Sequence, residues 1–285
     1  MNLTCPVCKE AMCAAERTFR CANGHSFDRA KEGYLNLLLS HQRRSRHPGD
    51  GRAMIQARRR FFDSGAFDPL QKLAAELIAG SNVLDCGCGE GFFSGALSEV
   101  NDGQFIGIDI SKEAVRCAAK RYKKALWIVA NGMRELPLAD TSMDTILSIL
   151  APRNPAEFAR VLKPGGTLIL GVPGPNHLIE LRSLLSQHVS DFEEKADEAV
   201  AKCAPQFTES DRQNLSYELD LSPAQLANLI QMTPIFWNSS PEAKQRAAGL
   251  PGLRVTVSFV LLSLKSNGVH NADKQAESFS GQNDS

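Results

Sequence analysis

Apolar residues along this chain fall into two kinds of run. Short apolar stretches at 83–86, 104–109, 126–130, 145–150 and 167–170 are each bounded by polar or glycine-rich segments. Their length and their branched side chains predict buried strands. Between them, apolar positions recur every three or four residues. Leu70, Leu73, Ala74, Leu77 and Ile78 mark one face of a helix over 66–79, and Val115, Ala118, Ala119 and Tyr122 mark another. Ser111 is placed to cap that second helix, with Glu113 in its first turn. Residues 91–100 supply the helix between the first two strands, and Asn154-Pro155 opens one that runs to Leu162 and stops before Pro164. Strand and helix therefore alternate, which predicts an α/β fold. Residues 178–221, with a helix carrying Leu181, Leu184 and Leu185 and an acidic run at 191–198, read as a cap over the substrate cleft, a peripheral helical insertion being the plainer alternative. Ser222-Pro223 starts a further helix with Leu226, Leu229 and Ile230 inward, and 254–264 alternates as the closing strand of the sheet.

The first strand runs into Asp85-x-Gly87-x-Gly89-Glu90-Gly91. A strand, a glycine turn and a helix start make a corner where a ligand can lie against bare main chain. The spacing is not the G-x-G-x-x-G of dinucleotide sites. A tight αβ loop with no ligand is the plain alternative. Three later features count against it. Asp109 ends the second strand about 20 residues on, where a carboxylate can accept both ribose hydroxyls. Leu136-Pro137-Leu138-Ala139-Asp140 precedes the 145–150 run, and Val161-Leu162-Lys163-Pro164-Gly165-Gly166 precedes the 167–170 run. In this order the landmarks resemble class I S-adenosylmethionine (SAM) methyltransferases. That resemblance implies a Rossmann-like mixed sheet of seven strands. Gly87 and Gly89 would pass under the methionine part of SAM, with Glu90 beside it.

The chain has 285 residues and no net charge, so no global field draws it to nucleic acid. No apolar run approaches a membrane span, the N-terminus does not read as a signal peptide, and eight cysteines suggest a reducing compartment, which together point to the cytoplasm. Cys5, Cys8, Cys21 and His25 follow a C-x2-C-x12-C-x3-H spacing, near that of a closed structural zinc site. A thioredoxin-like redox pair would need a βαβ context that is not visible here. Cys13 does not fit the spacing, and Cys86, Cys88, Cys117 and Cys203 fall at core-like or helical positions.

Between His41 and Phe62 lie seven arginines and one aspartate. Such a run beside a zinc module predicts contact with RNA phosphates, above all through Arg43, Arg44 and Arg46. A solvated linker is the plainer reading.

The residues after the last metal ligand carry a closer resemblance. Ala30-Lys31-Glu32-Gly33-Tyr34-Leu35-Asn36-Leu37-Leu38, then Pro48-Gly49-Asp50 and Met54-Ile55-Gln56-Ala57-Arg58-Arg59, join a zinc module to a SAM domain. In that order they are similar to bacterial 23S ribosomal RNA guanine-N1 methyltransferases. The resemblance implies a zinc- and RNA-binding module over 1–38, a connector over 39–65 and a SAM domain over 66–265, while the polar composition of 266–285, rich in Ser, Asn and Gln, predicts a disordered tail. It implies a hairpin of 23S ribosomal RNA as substrate, not DNA or a membrane, and a homodimer. It also places Phe67 and His177 at the SAM site, though Phe67 suits the core equally and His177 could merely start a helix. Phe236 or Trp237 would either stack on a flipped base or pack in the core. The loop Ala151-Pro152-Arg153-Asn154 lacks the pattern of exocyclic-amine methylation and suits a ring nitrogen. Guanine N1 must lose a proton, and no residue is singled out as the base. Two rivals stay open: a SAM enzyme acting on protein or a small metabolite, and an RNA-binding protein on a relict SAM fold.

Overall fold

The computed structural model describes residues 3–42, 49–185, 192–233 and 239–267. Arg43, Arg44, Arg46, Phe236, Trp237 and nearly all of the polar tail lie outside them.

A three-stranded antiparallel ribbon comes first: β1 (Met12–Ala15), β2 (Thr18–Cys21) and β3 (Ser26–Asp28). A two-residue strand, β4 (Leu35–Asn36), and helices α1 (Arg52–Phe62) and α2 (Asp68–Glu76) follow. Then β5 (Asn82–Cys86), α3 (Phe92–Val100), β6 (Gln104–Asp109), α4 (Lys112–Arg121), β7 (Leu126–Val129), β8 (Met143–Ile149), α5 (Pro155–Val161) and β9 (Leu162–Pro173) alternate as the pattern predicts. The chain closes with α6 (Ile179–Leu185), α7 (Lys195–Cys203), β10 (Phe207–Leu221), α8 (Pro223–Met232), α9 (Pro241–Ala248) and β11 (Leu253–Ser266).

The main sheet runs β10-β11-β9-β8-β5-β6-β7-β4. Strands β9-β8-β5-β6-β7-β4 pair in parallel, and β11 joins β9 and β10 antiparallel. The seven strands β5 to β11 are the mixed sheet of the class I fold, and β4 extends it from the N-terminal side. The 178–221 stretch is not wholly helical. Its last 15 residues are β10, the edge strand, and β11 lies one place inside it. A polar edge strand buries only one face, so most of β10 carries Thr, Ser, Glu, Asp, Arg, Gln and Asn and hides the strand signal.

Strand periodicity sorts the core. Leu84, Ile106, Leu126, Ile146, Leu168 and Leu262 share one cluster with Leu3, Met12 and Phe19 of the ribbon and with residues of α5 and α7. Alternate positions of the same sheet point the other way, toward α1, α2, α6 and α8 or into smaller clusters. The β5–β6, β6–β7 and β8–β9 connections each carry a helix, whereas 130–142, between β7 and β8, has none. The ribbon docks against that bare connection. Leu3 bridges to Leu138, and Thr4 N–H donates to Pro137 O at 3.1 Å. The ribbon thus covers sheet surface that a crossover helix would otherwise cover.

Candidate functional site

At the carboxyl ends of the parallel strands lies a cleft of about 1280 Å³. Phe67, Gly87, Gly89, Glu90, Asp109 and His177, predicted from distant parts of the sequence, all line it. Strand β5 and helix α3 build its floor. The N–H groups of Gly87 and Cys88 both donate to Ile108 O, at 2.8 and 3.1 Å, which stitches the turn to β6. Gly87 sits at φ +87°, and a Cβ there would fall 2.3 Å from Ala151 Cβ. Gly89, at φ +55°, meets only Arg58 Nη1 within 4 Å of the position its Cβ would take. The main chain is therefore open at Gly89, while at Gly87 it is packed against Ala151 too closely for any side chain. Asp85, beneath it, accepts a hydrogen bond from Ser94 Oγ at 2.6 Å, and burial pushes its carboxyl up to about 7.

Glu90 is only 6% exposed, and neither carboxylate oxygen has a hydrogen-bond partner. Its nearest cation is Arg58, with Nη1 3.9 Å from Oε2. Burial raises the Glu90 carboxyl to about 7, against the pull of Arg58. An orphaned, buried carboxylate beside an open peptide surface fits a ligand that brings positive charge or donors. Asp109 accepts from Gly89 N–H at 2.9 Å and from Ser111 N–H at 2.7 Å. A carboxylate has about four acceptor sites, so two remain for ribose hydroxyls.

Phe67 serves both readings, since it packs edge-on against Phe61 and Phe259 while also lining the cleft. The His177 ring lies 4.4 Å from that of Phe259. Burial, helped by nearby Arg182, pushes His177 down to about 4, so the ring is neutral at physiological pH. The N–H of Ser258 donates to Nδ1 at 3.3 Å, which leaves the ring proton on Nε2.

The ribbon carries the second site. Cys5 and Cys8 belong to the turn before β1, Cys21 ends β2 and His25 precedes β3. Their candidate ligand atoms all lie within 4.8 Å of one another. Cys8 Sγ is 3.6 Å from Cys21 Sγ, and Cys21 Sγ is 3.4 Å from His25 Nδ1. A tetrahedral ion with bonds of about 2.0–2.3 Å separates its ligands by roughly 3.3–3.8 Å, so the donor set fits zinc. Burial resists ionisation of Cys8, but bonds from Glu10 N–H, Asn23 and His25 outweigh it and bring the thiol down to about 6. Cys13 is exposed and outside the group.

Residues 3–46 match the zinc-ribbon family described as RlmA, N-terminal, and residues 84–170 match the family described as Methyltransferase domain. The 23S rRNA (guanine(748)-N(1))-methyltransferase of Streptomyces fradiae is 38% identical over 267 residues, spanning 90% of this chain and 94% of its own. The chain belongs to the 23S rRNA guanine-N1 methyltransferase family. A relative from Bacillus subtilis, provisionally named for the same activity, is 33% identical over 92% of this chain and 96% of its own. Another, from Micromonospora griseorubida, is 32% identical over 84% and 88%.

This methyltransferase uses SAM, and its ribbon is of the zinc type. The sequence reading does not single out Arg58 or Asp50, which meet as an ion pair in the cleft lining. Arg58 is placed with the RNA-facing arginines by the charge run. It turns inward instead, pairing with Asp50 and approaching Glu90, while Arg59 pairs with Asp63 and Arg60 donates to Asn228. The signal was there: Arg58 falls three or four residues from Met54, Ile55, Phe61 and Phe62, on the buried stripe of α1. Asp50 adds its backbone oxygen, which accepts from Ser111 Oγ at 2.9 Å and ties the connector to the start of α4. Among the described residues, no helix is long and apolar enough to cross a membrane.

Proposed function

We propose that this protein transfers a methyl group from SAM to N1 of one guanine in a hairpin loop of 23S ribosomal RNA. The observation that carries the reading is whole-chain similarity to a named 23S rRNA guanine-N1 methyltransferase, covering ribbon, connector and catalytic sheet together. When bound, SAM supplies a methyl group on a sulfonium, activated for displacement. On this reading Gly87 and Gly89 give it bare peptide, Glu90 balances positive charge, and Asp109 accepts from the ribose. Phe67 and His177 close the wall. His177, neutral and with its proton on Nε2, acts as a donor and not as the base for guanine N1. Cys5, Cys8, Cys21 and His25 hold a closed zinc site with no catalytic position.

The connector arginines outside the described residues favour phosphate contact, and we place the enzyme in the cytoplasm as a homodimer. Sedimentation at working concentration tests the dimer. Incubation with methyl-labelled SAM and separate ribosomal RNA, protein and metabolite fractions tests the activity. Label confined to ribosomal RNA supports the proposal, and label on protein or metabolite alone overturns it.

A further inference from the structure

Among the described residues, four large apolar side chains stand exposed: Val7, Val100, Met133 and Leu150. Two of them, Met133 at 48% and Leu150 at 52%, line the cleft. Leu150 also holds φ +54°, a left-handed conformation that strains any residue with a Cβ. Its N–H donates to Gly171 O at 3.0 Å, so the backbone is fixed there by the sheet. Glycine would take this position without strain, and the leucine leaves about half of its surface uncovered. The side chain is therefore best explained by what enters the cleft.

Met133 follows β7 and Leu150 follows β8, strands separated in the sheet by β5 and β6. Strand spacing alone would set their ends about 14 Å apart. One side chain ties the two loops together. Asn154 donates from Nδ2 to Met133 O at 3.2 Å, while its Oδ1 accepts from Glu157 N–H at the start of α5. Asn131 Oδ1 accepts from Met133 N–H at 3.0 Å, fixing the same loop from its other end. Ala151, next to Leu150, packs onto the turn at Gly87, so this apolar rim adjoins the corner read as the cofactor site.

We propose that Met133 and Leu150 form an aliphatic shelf that receives one face of the acceptor purine and sets its ring nitrogen toward the transferable methyl group. The inference rests on reading the cleft as a guanine-N1 methyltransferase site. An extruded base presents two apolar faces and gains by covering them. Glu90, Asp109, Asp50 and Arg58 cluster at the glycine corner, while Arg134 stands next to Met133 in the cleft lining, where a guanidinium can meet the phosphate of the same nucleotide.

The test compares Leu150→Gly, Met133→Ala and the double variant with wild type. Readouts are kcat/KM on unmodified 23S rRNA, SAM affinity by calorimetry, and Tm. The shelf predicts a loss of about tenfold or more in kcat/KM for each variant, the scale of removing a stacking contact, with a larger loss in the double. SAM affinity should stay within about twofold of wild type, and the Tm of Leu150→Gly should match or exceed it because strain is relieved. Wild-type kcat/KM in all three variants would overturn the shelf, as would losses that track lower Tm or weaker SAM binding. A wild-type enzyme that binds SAM yet leaves rRNA unmodified would overturn the underlying reading itself.

Discussion

Replacing Glu90 with glutamine tests the electrostatics of the cofactor corner. The carboxyl is buried, lacks hydrogen-bond partners and is raised from 4.5 to about 7. In the unfolded chain it ionises near its ordinary value, so between pH 4.5 and 7 the unfolded state sheds a proton that the folded state retains. A raised acid therefore costs nothing below 4.5, costs more as pH climbs, and reaches its full cost above 7. A displacement of about 2.5 pH units at about 1.36 kcal/mol each gives a cost on the order of 3 kcal/mol at pH 8, and under about 1 kcal/mol at pH 5. Glutamine keeps the shape and removes the charge. Urea denaturation of SAM-free protein should show Glu90→Gln more stable than wild type by a few kcal/mol at pH 8 and nearly equal to it at pH 5. SAM should bind the variant less tightly, because the orphan carboxylate that would meet its positive charge is gone. Equal stability differences at both pH values would refute the claim that Glu90 is held in an unfavourable charged state. Unchanged SAM affinity would refute its assignment to the cofactor.

Three further perturbations address other parts of the structure. Chelating zinc, or changing Cys8 to serine, should lower the Tm of the whole catalytic sheet and weaken SAM binding, because the ribbon covers sheet surface beside the bare 130–142 connection; a thermal scan in which the catalytic domain melts unchanged would contradict this. Gly87→Ala should weaken SAM binding at least about tenfold, since its Cβ would collide with Ala151 Cβ in a strained backbone region. Adding Ala151→Gly should recover part of the loss, and a double variant no better than the single would count against the collision. Asp144→Ala should cost about 2–3 kcal/mol in chemical denaturation while leaving the SAM affinity of the folded protein intact. Asp144 accepts from Ser81 N–H, Asn82 N–H, the Asn82 amide and Lys163, which together hold it at about 2 against its burial.

The central sheet was legible because buried parallel strands are nearly continuous apolar runs and their crossover helices carry clear apolar faces. Caps were legible too: Ser111 accepts from Ala114 N–H and Asn154 from Glu157 N–H, as their positions implied. The metal cluster could be read from spacing alone, since a tetrahedral ion imposes short loops between ligand pairs. What escaped has a physical cause in each case. In β10 the polar half of an edge strand masked the alternation that Leu215, Tyr217, Leu219 and Leu221 preserve. Arg58 was hidden inside a charge run, where composition says nothing of direction. The ribbon's role as a sheet cover depends on a helix missing from a connection far along the chain, and no local pattern records that. The left-handed backbone of Leu150 cannot be read from the residue type, because leucine seldom adopts it.

The most direct measurement is nucleotide mapping after reaction. Unmodified 23S rRNA, free or within large ribosomal subunits, is incubated with the enzyme and SAM, digested, and analysed by mass spectrometry alongside primer extension, which stops at a base methylated on its pairing edge. The account predicts one added methyl, recovered as 1-methylguanosine, at a single guanine in a hairpin loop. A methyl recovered on another base or another guanine atom, or RNA left unmodified by enzyme that demonstrably binds SAM, would contradict it.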